Sequence, residues 1–181
     1  MAWPVTSSRV PYENPWIKVR EDQVVRPDGT PGIYGVVELR HPAVFVVPLT
    51  DADEVVLVEV DRHTVGLSLE VPAGGADGQD LLVAAARELA EETGLVADVL
   101  EPVGSTFALN GVCVAPEHVV LARGLRPADT APHEDQCEEG ISAVRTVPWP
   151  EVMDLVRSGA ISDGETVAAL MLAALALGRV S

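Results

Sequence analysis

The sequence is poor in cysteine, aromatic residues and basic residues. Its 181 residues contain two cysteines, Cys113 and Cys137, which are too few for a disulfide framework and have no zinc-ligand spacing. Lys and Arg number 12 against 28 Asp and Glu, which gives a formal net charge of −16 at pH 7. Because long nucleic acids are bound by basic patches, this charge argues against them as partners. Phosphorylated small molecules stay open as ligands, since a bound metal ion can invert the local field.

Other absences narrow the class further. No apolar run is long enough to span a membrane, and the chain does not start with a basic stretch followed by an apolar one, so we expect a cytoplasmic protein. A Gly-rich P-loop ending in Lys and Ser or Thr is missing, which disfavours a P-loop nucleotidase. With 48% apolar residues, the chain is predicted to fold as one globular domain.

Alternating and continuous apolar segments predict a strand-rich fold. Strands are expected at 16–23, 32–39, 43–49, 54–60, 67–71, 96–103, 112–121 and 141–144, and helices between Asp80 and Gly94, at 150–158 and at 164–177. The first two strands are expected to form an antiparallel hairpin. Residues 1–14 are expected to be irregular, and 126–139 to be a functional loop. The predicted class is α/β (α+β), with a mixed sheet sandwiched between helices.

The most informative segment is 87–94, Arg-Glu-Leu-Ala-Glu-Glu-Thr-Gly, which follows a Gly-rich turn. On a helix Glu88, Glu91 and Glu92 stand at i, i+3 and i+4, so their carboxylates share one face. Like charges at this spacing repel by a few tenths of a kcal/mol per pair. A divalent cation is the natural compensating charge, because hard cations prefer carboxylate oxygens. The alternative is a solvated acidic helix surface.

The same helix is predicted to have defined ends and an apolar stripe. Asp80 suits an N-cap and Gly94 a C-terminal cap. A stripe at helical spacing is expected to pack on the sheet and to leave the glutamates on another side, facing a cleft. Its members are Leu82, Ala85, Ala86 and Leu89.

The segment Gly74–Leu95 resembles the Nudix box, whose pattern is G-x5-E-x7-R-E-U-x-E-E-x-G-U with U apolar. The second half, R-E-L-A-E-E-T-G-L, matches at every specified position. The first half departs from the pattern. Gln79 stands where the first Glu belongs, and the spacing from Gly74 is one residue short. Asp80 is a neighbouring carboxylate that could replace that Glu.

The resemblance is to the ADP-ribose pyrophosphatase branch of the family, and it covers the chain from Tyr12 onward. The segments that carry it are Tyr12–Trp16, Arg26–Gly29, Leu69–Gly74, Asn110–Gly111, Glu117–Ala122 and Ile161–Thr166. It implies the Nudix fold, with residues 1–181 as a single domain. Within that domain, residues 1–42 would supply N-terminal strands that pair two subunits into a homodimer, and residues 43–181 would form the catalytic core.

The resemblance also implies a reaction. A Mg²⁺-dependent pyrophosphohydrolase would cleave a nucleoside diphosphate linked to another group, with ADP-ribose giving AMP and ribose 5-phosphate. Glu88, Glu91 and Glu92 would hold the metal together with the Ala73 carbonyl, and Mn²⁺ could substitute for Mg²⁺. Arg87 would orient the glutamates. No membrane and no long nucleic acid is implied as a partner.

The remaining site residues come from other segments. The resemblance implies Glu139 as the general base, with Glu138 as its rival. It implies a substrate contact from Arg62, and it includes Glu117 as a further substrate-binding candidate. Trp16 could stack on adenine, since base–aromatic stacking is favourable, and Glu70 could support the site by hydrogen bonding. Trp16 could instead belong to the core or to a dimer interface, and Glu70 could be a strand-end surface residue. Glu59 occupies a position that is commonly basic in this branch.

Two further functions stay open at this point. The substrate could be a sugar nucleotide or a dinucleotide instead of ADP-ribose. The chain could also be a Nudix-fold module that binds a nucleotide without cleaving it. The three glutamates favour the enzyme, whereas Gln79, the shorter turn and Glu59 favour the binding module.

Overall fold

The computed structural model describes residues 3–129, 136 and 139–180. The strands are β1 (Val5–Glu13), β2 (Ile17–Val25), β3 (Pro31–Leu39), β4 (Ala43–Pro48), β5 (Glu54–Arg62), β6 (Gly66–Glu70), β7 (Ala73–Gly75), β8 (Leu95–Phe107), β9 (Cys113–Val114), β10 (Pro116–Pro127) and β11 (Ile141–Pro148). The helices with described bounds are α1 (Leu81–Thr93), α2 (Trp149–Ser158) and α3 (Gly164–Ala176). Among the described residues, no helix is both long enough and apolar enough to cross a membrane.

One compact unit comprises residues 1–42 and 107–116. Its four strands lie in the order β1-β2-β3-β9, with antiparallel neighbours except for the parallel pair β3 and β9. The predicted hairpin is confirmed as β2 and β3. The prediction that residues 1–14 are irregular is wrong, because β1 pairs antiparallel with β2. Pro11 is tolerated there because β1 is an edge strand, and the register shifts between Arg9 and Tyr12.

The second compact unit comprises residues 43–106 and 117–181. It contains the sheet β7-β4-β10-β8, in which β4 and β10 are parallel, and the antiparallel sheet β11-β5-β6. The predicted strands at 43–49, 54–60 and 67–71 and all three predicted helices are confirmed. Two other predicted strands are longer than expected, β8 and β11. The predicted strand 112–121 is divided into β9 and β10 just before Pro116, whose ring removes a backbone donor.

Helices cover both faces of the sheet in this unit. Alternate residues of a strand point to opposite faces, and β4 follows this rule. Val44 and Val46 pack with Ala84, Ala85 and Leu89 of α1. On the other face, a cluster joins Val47 and Leu121 to α2 and α3 through Val152, Ala169, Leu170 and Ala173. The predicted class, a mixed sheet sandwiched between helices, is therefore confirmed.

Arg179, which follows α3, contacts residues of two other segments. The Arg179 guanidinium lies 4.2 Å from the ring centroid of Trp149 and also pairs with Asp53. Trp149 is buried, and Trp149 N–H donates to the Asp53 carbonyl at 3.0 Å. Arg179 thus ties the residues after α3 to the start of α2.

We expect Arg179→Ala to lower the free energy of unfolding by about 1–2 kcal/mol, because it removes a cation–π contact and an ion pair together. Urea unfolding followed by circular dichroism measures this change. Arg157→Ala is the matched control, since Arg157 pairs with Asp154 at the exposed surface. The control should change stability by less than about 0.5 kcal/mol. Equal effects of the two substitutions would contradict the role given to Arg179.

Candidate active site

A tight turn joins β7 to α1 and sets the approach to the helix. Asp77 and Gly78 both have positive φ, 49° and 78°, and Gln79 N–H donates to the Ala76 carbonyl at 2.8 Å. Positive φ at both central residues is typical of a type I′ turn. The turn lies within the segment whose spacing from Gly74 is one residue short of the pattern, and it places Gln79 directly before the N-cap Asp80.

Helix α1 has the predicted caps. Asp80 Oδ1 accepts the Leu82 N–H at 2.9 Å, so Asp80 is the N-cap. Gly94 ends the helix with φ 70°, and its N–H donates to the Ala90 carbonyl. The Asp80 carboxylate is therefore engaged in capping, and the side chain that reaches Arg87 from this turn is Gln79.

The buried face of α1 is not the predicted stripe. Leu82 and Ala86 are exposed, whereas Glu88 and Glu92 are buried, with 2% and 4% of their surface accessible. The two glutamates share the buried face with Ala84, Ala85 and Leu89. The prediction of a separate glutamate face failed because helical periodicity was assigned to apolar residues alone. Two of the three carboxylates face inward, and Glu91 is half-buried.

Gly74 makes room for one of these carboxylates. A Cβ built on Gly74 would lie 2.6 Å from Glu88 Oε2 and closer still to Oε1 and Cδ. The backbone of Gly74 is held in register with Val44 on the neighbouring strand. A side chain at this position would therefore collide with the Glu88 carboxylate.

The Arg87 guanidinium donates hydrogen bonds to several acceptors around it. Its Nη2 donates to the Gly75 carbonyl at 2.8 Å and lies 2.8 Å from Glu88 Oε1. Its Nη1 donates to Glu91 Oε2 at 2.9 Å, the i to i+4 pair predicted from the sequence. Its Nε donates to Gln79 Oε1 at 3.1 Å. Arg87 thus fixes two of the three glutamates and the turn before the helix.

Burial changes the ionisation of the inward carboxylates. Desolvation raises the pKa of Glu92 to about 9, and the charges of Glu139 and Glu88 add to the effect. Desolvation also raises the pKa of Glu88 to about 7, opposed by Arg87 and reinforced by Glu139 and Glu91. The Ala73 N–H donates to Glu92 Oε2 at 3.3 Å and favours the ionised form. The site therefore holds carboxylates that lack sufficient positive charge around them.

Glu139 approaches the site from a different element. It is exposed, and it lines a small cleft with Val58, Val60, Arg62, Glu92 and Ile141. Gly140 follows it with φ 76°, and the Gly140 carbonyl accepts the Asp61 N–H at 3.0 Å. This turn aligns Glu139 with the end of β5. Its rival Glu138 lies outside the described residues.

Arg62 and Glu70 form one ion pair at the edge of the same cleft. Arg62 Nη2 donates to Glu70 Oε2 at 2.6 Å, and Nε lies 3.2 Å from both Glu70 oxygens. Glu70 is buried, so it is not a surface residue at a strand end. The bond to Glu70 raises the pKa of Arg62, and the charges of Glu92 and Asp163 contribute. The arginine brings positive charge toward the glutamate cluster.

The other two predicted substrate contacts, Glu117 and Trp16, belong to other segments of the chain. Glu117 is buried on β10 and accepts a hydrogen bond from Thr106 Oγ1 at 2.6 Å. Its negative charge repels that of Glu165. Trp16 belongs to the unit formed by residues 1–42 and 107–116, where 74% of its surface is exposed. That exposure excludes the core alternative for Trp16 within the chain. Base stacking and a dimer interface stay predictions.

Some residues that organise the site carry weak sequence signals. Gln136 Nε2 donates to the Glu92 carbonyl at 2.7 Å, although nothing in the acidic stretch around it predicts this bond. Asp163 caps α3 by accepting the Thr166 N–H at 2.7 Å, and it lies in a segment that the family resemblance includes. Glu59 pairs with Arg145 at 2.5 Å, which gives the unexpected acid at this position a structural partner.

The donor chemistry fits a hard divalent cation, because every charged ligand candidate is a carboxylate. The side chains are not gathered for one in this arrangement. Glu88 and Glu91 turn toward Arg87, and Glu92 turns toward the Ala73 N–H. Accordingly, no group of three or more His, Cys, Asp or Glu side chains is assembled for metal binding in the part of the chain that the structure describes. Binding would require these carboxylates to reorient by side-chain rotation.

Comparison with known proteins identifies relatives over most of the chain. Residues 39–170 match the NUDIX domain, and residues 3–37 match the nucleoside diphosphate sugar hydrolase N-terminal domain. An ADP-ribose pyrophosphatase of Mycobacterium tuberculosis is 33% identical over 160 residues, which cover 86% of this chain and 72% of the relative. A methanol dehydrogenase activator of Bacillus methanolicus is 31% identical over 157 residues, covering 85% and 83%.

A solved structure supports the same architecture. A crystal structure of an ADP compounds hydrolase superposes with a TM-score of 0.83 and covers 99% of this chain and 98% of its own. At 23% sequence identity, this likeness concerns the fold alone.

Proposed function

The chain belongs to the Nudix family, and on that premise we propose that it is a divalent-cation-dependent hydrolase of a nucleoside diphosphate linked to a second group. The substrate that we favour is ADP-ribose, cleaved to AMP and ribose 5-phosphate. The observation that carries the proposal is the pair of buried carboxylates on α1, Glu88 beside Gly74 and Glu92 beside Ala73, both short of compensating charge. Such a pair is stabilised by a bound cation.

Glu88, Glu91 and Glu92 would hold that cation together with the Ala73 carbonyl, and Mg²⁺ or Mn²⁺ would suit these oxygen donors. When bound, the ion would neutralise pyrophosphate oxygens and lower the pKa of a coordinated water. The protein itself would supply orientation. Arg87 holds Glu88 and Glu91, and the Ala73 N–H holds Glu92, until side-chain rotation brings their oxygens to the ion.

Glu139 would act as general base from the opposite side of the cleft. In the proposed step, a water oxygen attacks one phosphorus, the bridging P–O bond breaks, and the water proton passes to the Glu139 carboxylate. The products are two phosphate monoesters. Arg62 would add positive charge beside the glutamates while Glu70 keeps its guanidinium in place.

ADP-ribose is supported by the Mycobacterium tuberculosis relative, which is named an ADP-ribose pyrophosphatase. The match of residues 3–37 to the nucleoside diphosphate sugar hydrolase N-terminal domain favours a sugar nucleotide as the second candidate. Trp16 would stack on the base, since base–aromatic stacking contributes about 1–3 kcal/mol. Glu117 would act beside the substrate from β10. We further propose that residues 43–181 form the catalytic core and that residues 1–42 pair two copies into a homodimer.

Chromatography of the products over a substrate panel would test the function. The panel contains ADP-ribose, sugar nucleotides, NADH and diadenosine polyphosphates, each with Mg²⁺, with Mn²⁺ and with EDTA. We expect cation-dependent turnover with ADP-ribose as the best substrate. Absence of cation-dependent turnover for every compound would overturn the enzyme proposal and favour a nucleotide-binding module.

We expect Glu139→Gln to lower kcat by about 10²–10⁴-fold, the usual contribution of a positioned general base. Glu138→Gln provides the comparison at the neighbouring position. Steady-state kinetics measure the effect on kcat, and Mn²⁺ titration measures the effect on cation affinity. Loss of the general base should lower kcat far more than it weakens cation binding. A larger kcat loss in Glu138→Gln would transfer the role to that residue.

A further inference from the structure

One of the side chains that contact the Arg87 guanidinium, that of Gln79, is uncharged. Nη1 and Nη2 face Glu91, Glu88 and the Gly75 carbonyl, and these contacts alone leave the Nε–H to be satisfied. Gln79 Oε1 accepts that proton at 3.1 Å. The amide therefore gives the single Nε–H of this planar donor group an acceptor of its own.

The backbone of Gln79 is also fixed. Its N–H closes the tight turn with the Ala76 carbonyl, and the next residue, Asp80, is the N-cap of α1. The side chain thus starts from a defined point one residue before the cap. Arg87 lies two helical turns further along, and the Gln79 side chain spans this distance to reach it.

We propose that Gln79 is a positioning residue that fixes the orientation of the Arg87 guanidinium. Because the Gln79 amide is neutral, the positive charge of Arg87 is shared by Glu88 and Glu91 without a third carboxylate at position 79. The bond at Nε restrains rotation of the guanidinium, on which both Nη contacts depend. A carboxylate at position 79 would accept the same proton but would share the arginine charge among three acids. The neutral amide keeps the orientation and strengthens the hold of Arg87 on the two glutamates.

This inference rests on the proposed function for its catalytic consequence, but its geometric core does not need a bound cation. Gln79→Leu preserves approximate size and removes the acceptor. Gln79→Glu preserves the acceptor and adds a charge. Gln23→Glu, at an exposed position of β2, adds the same charge in the other compact unit and serves as control.

The first readout is the ¹H–¹⁵N signal of the Arg87 Nε–H in the cation-free protein, assigned with Arg87→Lys. We expect a slowly exchanging signal in the unsubstituted protein, at least about tenfold faster exchange in Gln79→Leu, and a downfield shift in Gln79→Glu, where the bond is charge-assisted. Gln23→Glu should leave the signal unchanged. An Arg87 signal unaffected by Gln79→Leu would overturn the proposal.

The second readout is Mn²⁺ titration with steady-state kinetics. Gln79→Glu should tighten Mn²⁺ binding about 3–10-fold, because Arg87 then competes less with the ion for Glu88 and Glu91. Gln79→Leu should lower kcat about 5–20-fold and leave KM within about twofold of the unsubstituted value. Gln79→Glu, which keeps the acceptor, should have the kcat of the unsubstituted protein. Equal kcat in Gln79→Leu and the unsubstituted protein would overturn the positioning role. If the unsubstituted protein neither binds Mn²⁺ nor turns over, the proposed function fails, whereas the Nε–H result still decides the inference.

Discussion

Glu92→Gln is expected to reduce turnover at least about 100-fold while making the cation-free protein more stable at pH 8. Even residues that only support a metal ligand typically change metal affinity or activity by about 10–100-fold, and Glu92 is proposed as a ligand itself. The fold should survive. Glutamine has nearly the same shape, and its Oε1 can still accept the Ala73 N–H.

The gain in stability follows from the raised pKa of Glu92. Burial, followed by the charges of Glu139 and Glu88, raises this pKa from 4.5 to about 9. Between these two values the folded protein binds more protons than the unfolded chain, so the free energy of unfolding falls as pH rises through this window. Glutamine cannot ionise, so this loss is absent in the variant. We expect a difference on the order of 1–3 kcal/mol at pH 8 and a smaller one at pH 5.

Urea unfolding in EDTA between pH 5 and pH 9, together with turnover assays, would measure both effects. The unsubstituted protein should lose stability toward pH 9, and the variant should show a shallower slope. A residual slope is expected because the pKa of Glu88 is also raised, to about 7. Glu101→Gln is the control, since Glu101 pairs with Arg123 at the surface and should change neither readout by more than a small margin. Near-normal turnover in Glu92→Gln would remove Glu92 from the metal site.

Membership of the Nudix family confirms the enzyme class predicted from sequence, a hydrolase acting on phosphoric anhydride bonds. The features that the sequence predicted well are local. Asp80 and Gly94 could be placed because capping depends on the chemistry of one residue and its neighbours. The Arg87–Glu91 pair could be placed because it follows from helical spacing.

The features that the sequence did not predict depend on tertiary contacts. Glu88 and Glu92 lie on the buried face of α1, next to Gly74 and Ala73 of β7 respectively, which no helical period reveals. The edge strand β1 is not predicted because its proline and serines resemble loop composition, although pairing with β2 decides its conformation. Likewise, Arg87 lies in α1 eight residues after Gln79, and only the conformation of the turn before the helix brings the Gln79 side chain to it.

Gly74→Ala is expected to lower turnover at least about 100-fold and the free energy of unfolding by about 1–3 kcal/mol, the usual cost of overpacking. The added Cβ would collide with the Glu88 carboxylate, 2.6 Å from Oε2 and closer to Oε1 and Cδ. Without a bound cation to attract it elsewhere, that carboxylate has little freedom to move, since it is buried and contacts Arg87. The strand backbone has little freedom either, because it pairs with β4. Gly35→Ala is the control, since a Cβ there has no atom within 4 Å.

A double-mutant cycle separates this collision from a general loss of the turn. Glu88→Ala removes the carboxylate with which the methyl group added by Gly74→Ala would collide. Gly74→Ala should therefore cost much less stability in the Glu88→Ala background. We expect a coupling free energy of at least about 1 kcal/mol between the two positions, within the range seen for residues in contact. Turnover should stay lost in the double variant, because Glu88 is proposed as a metal ligand. Additive stability changes would mean that Gly74 is required for the turn itself and not for the space occupied by Glu88.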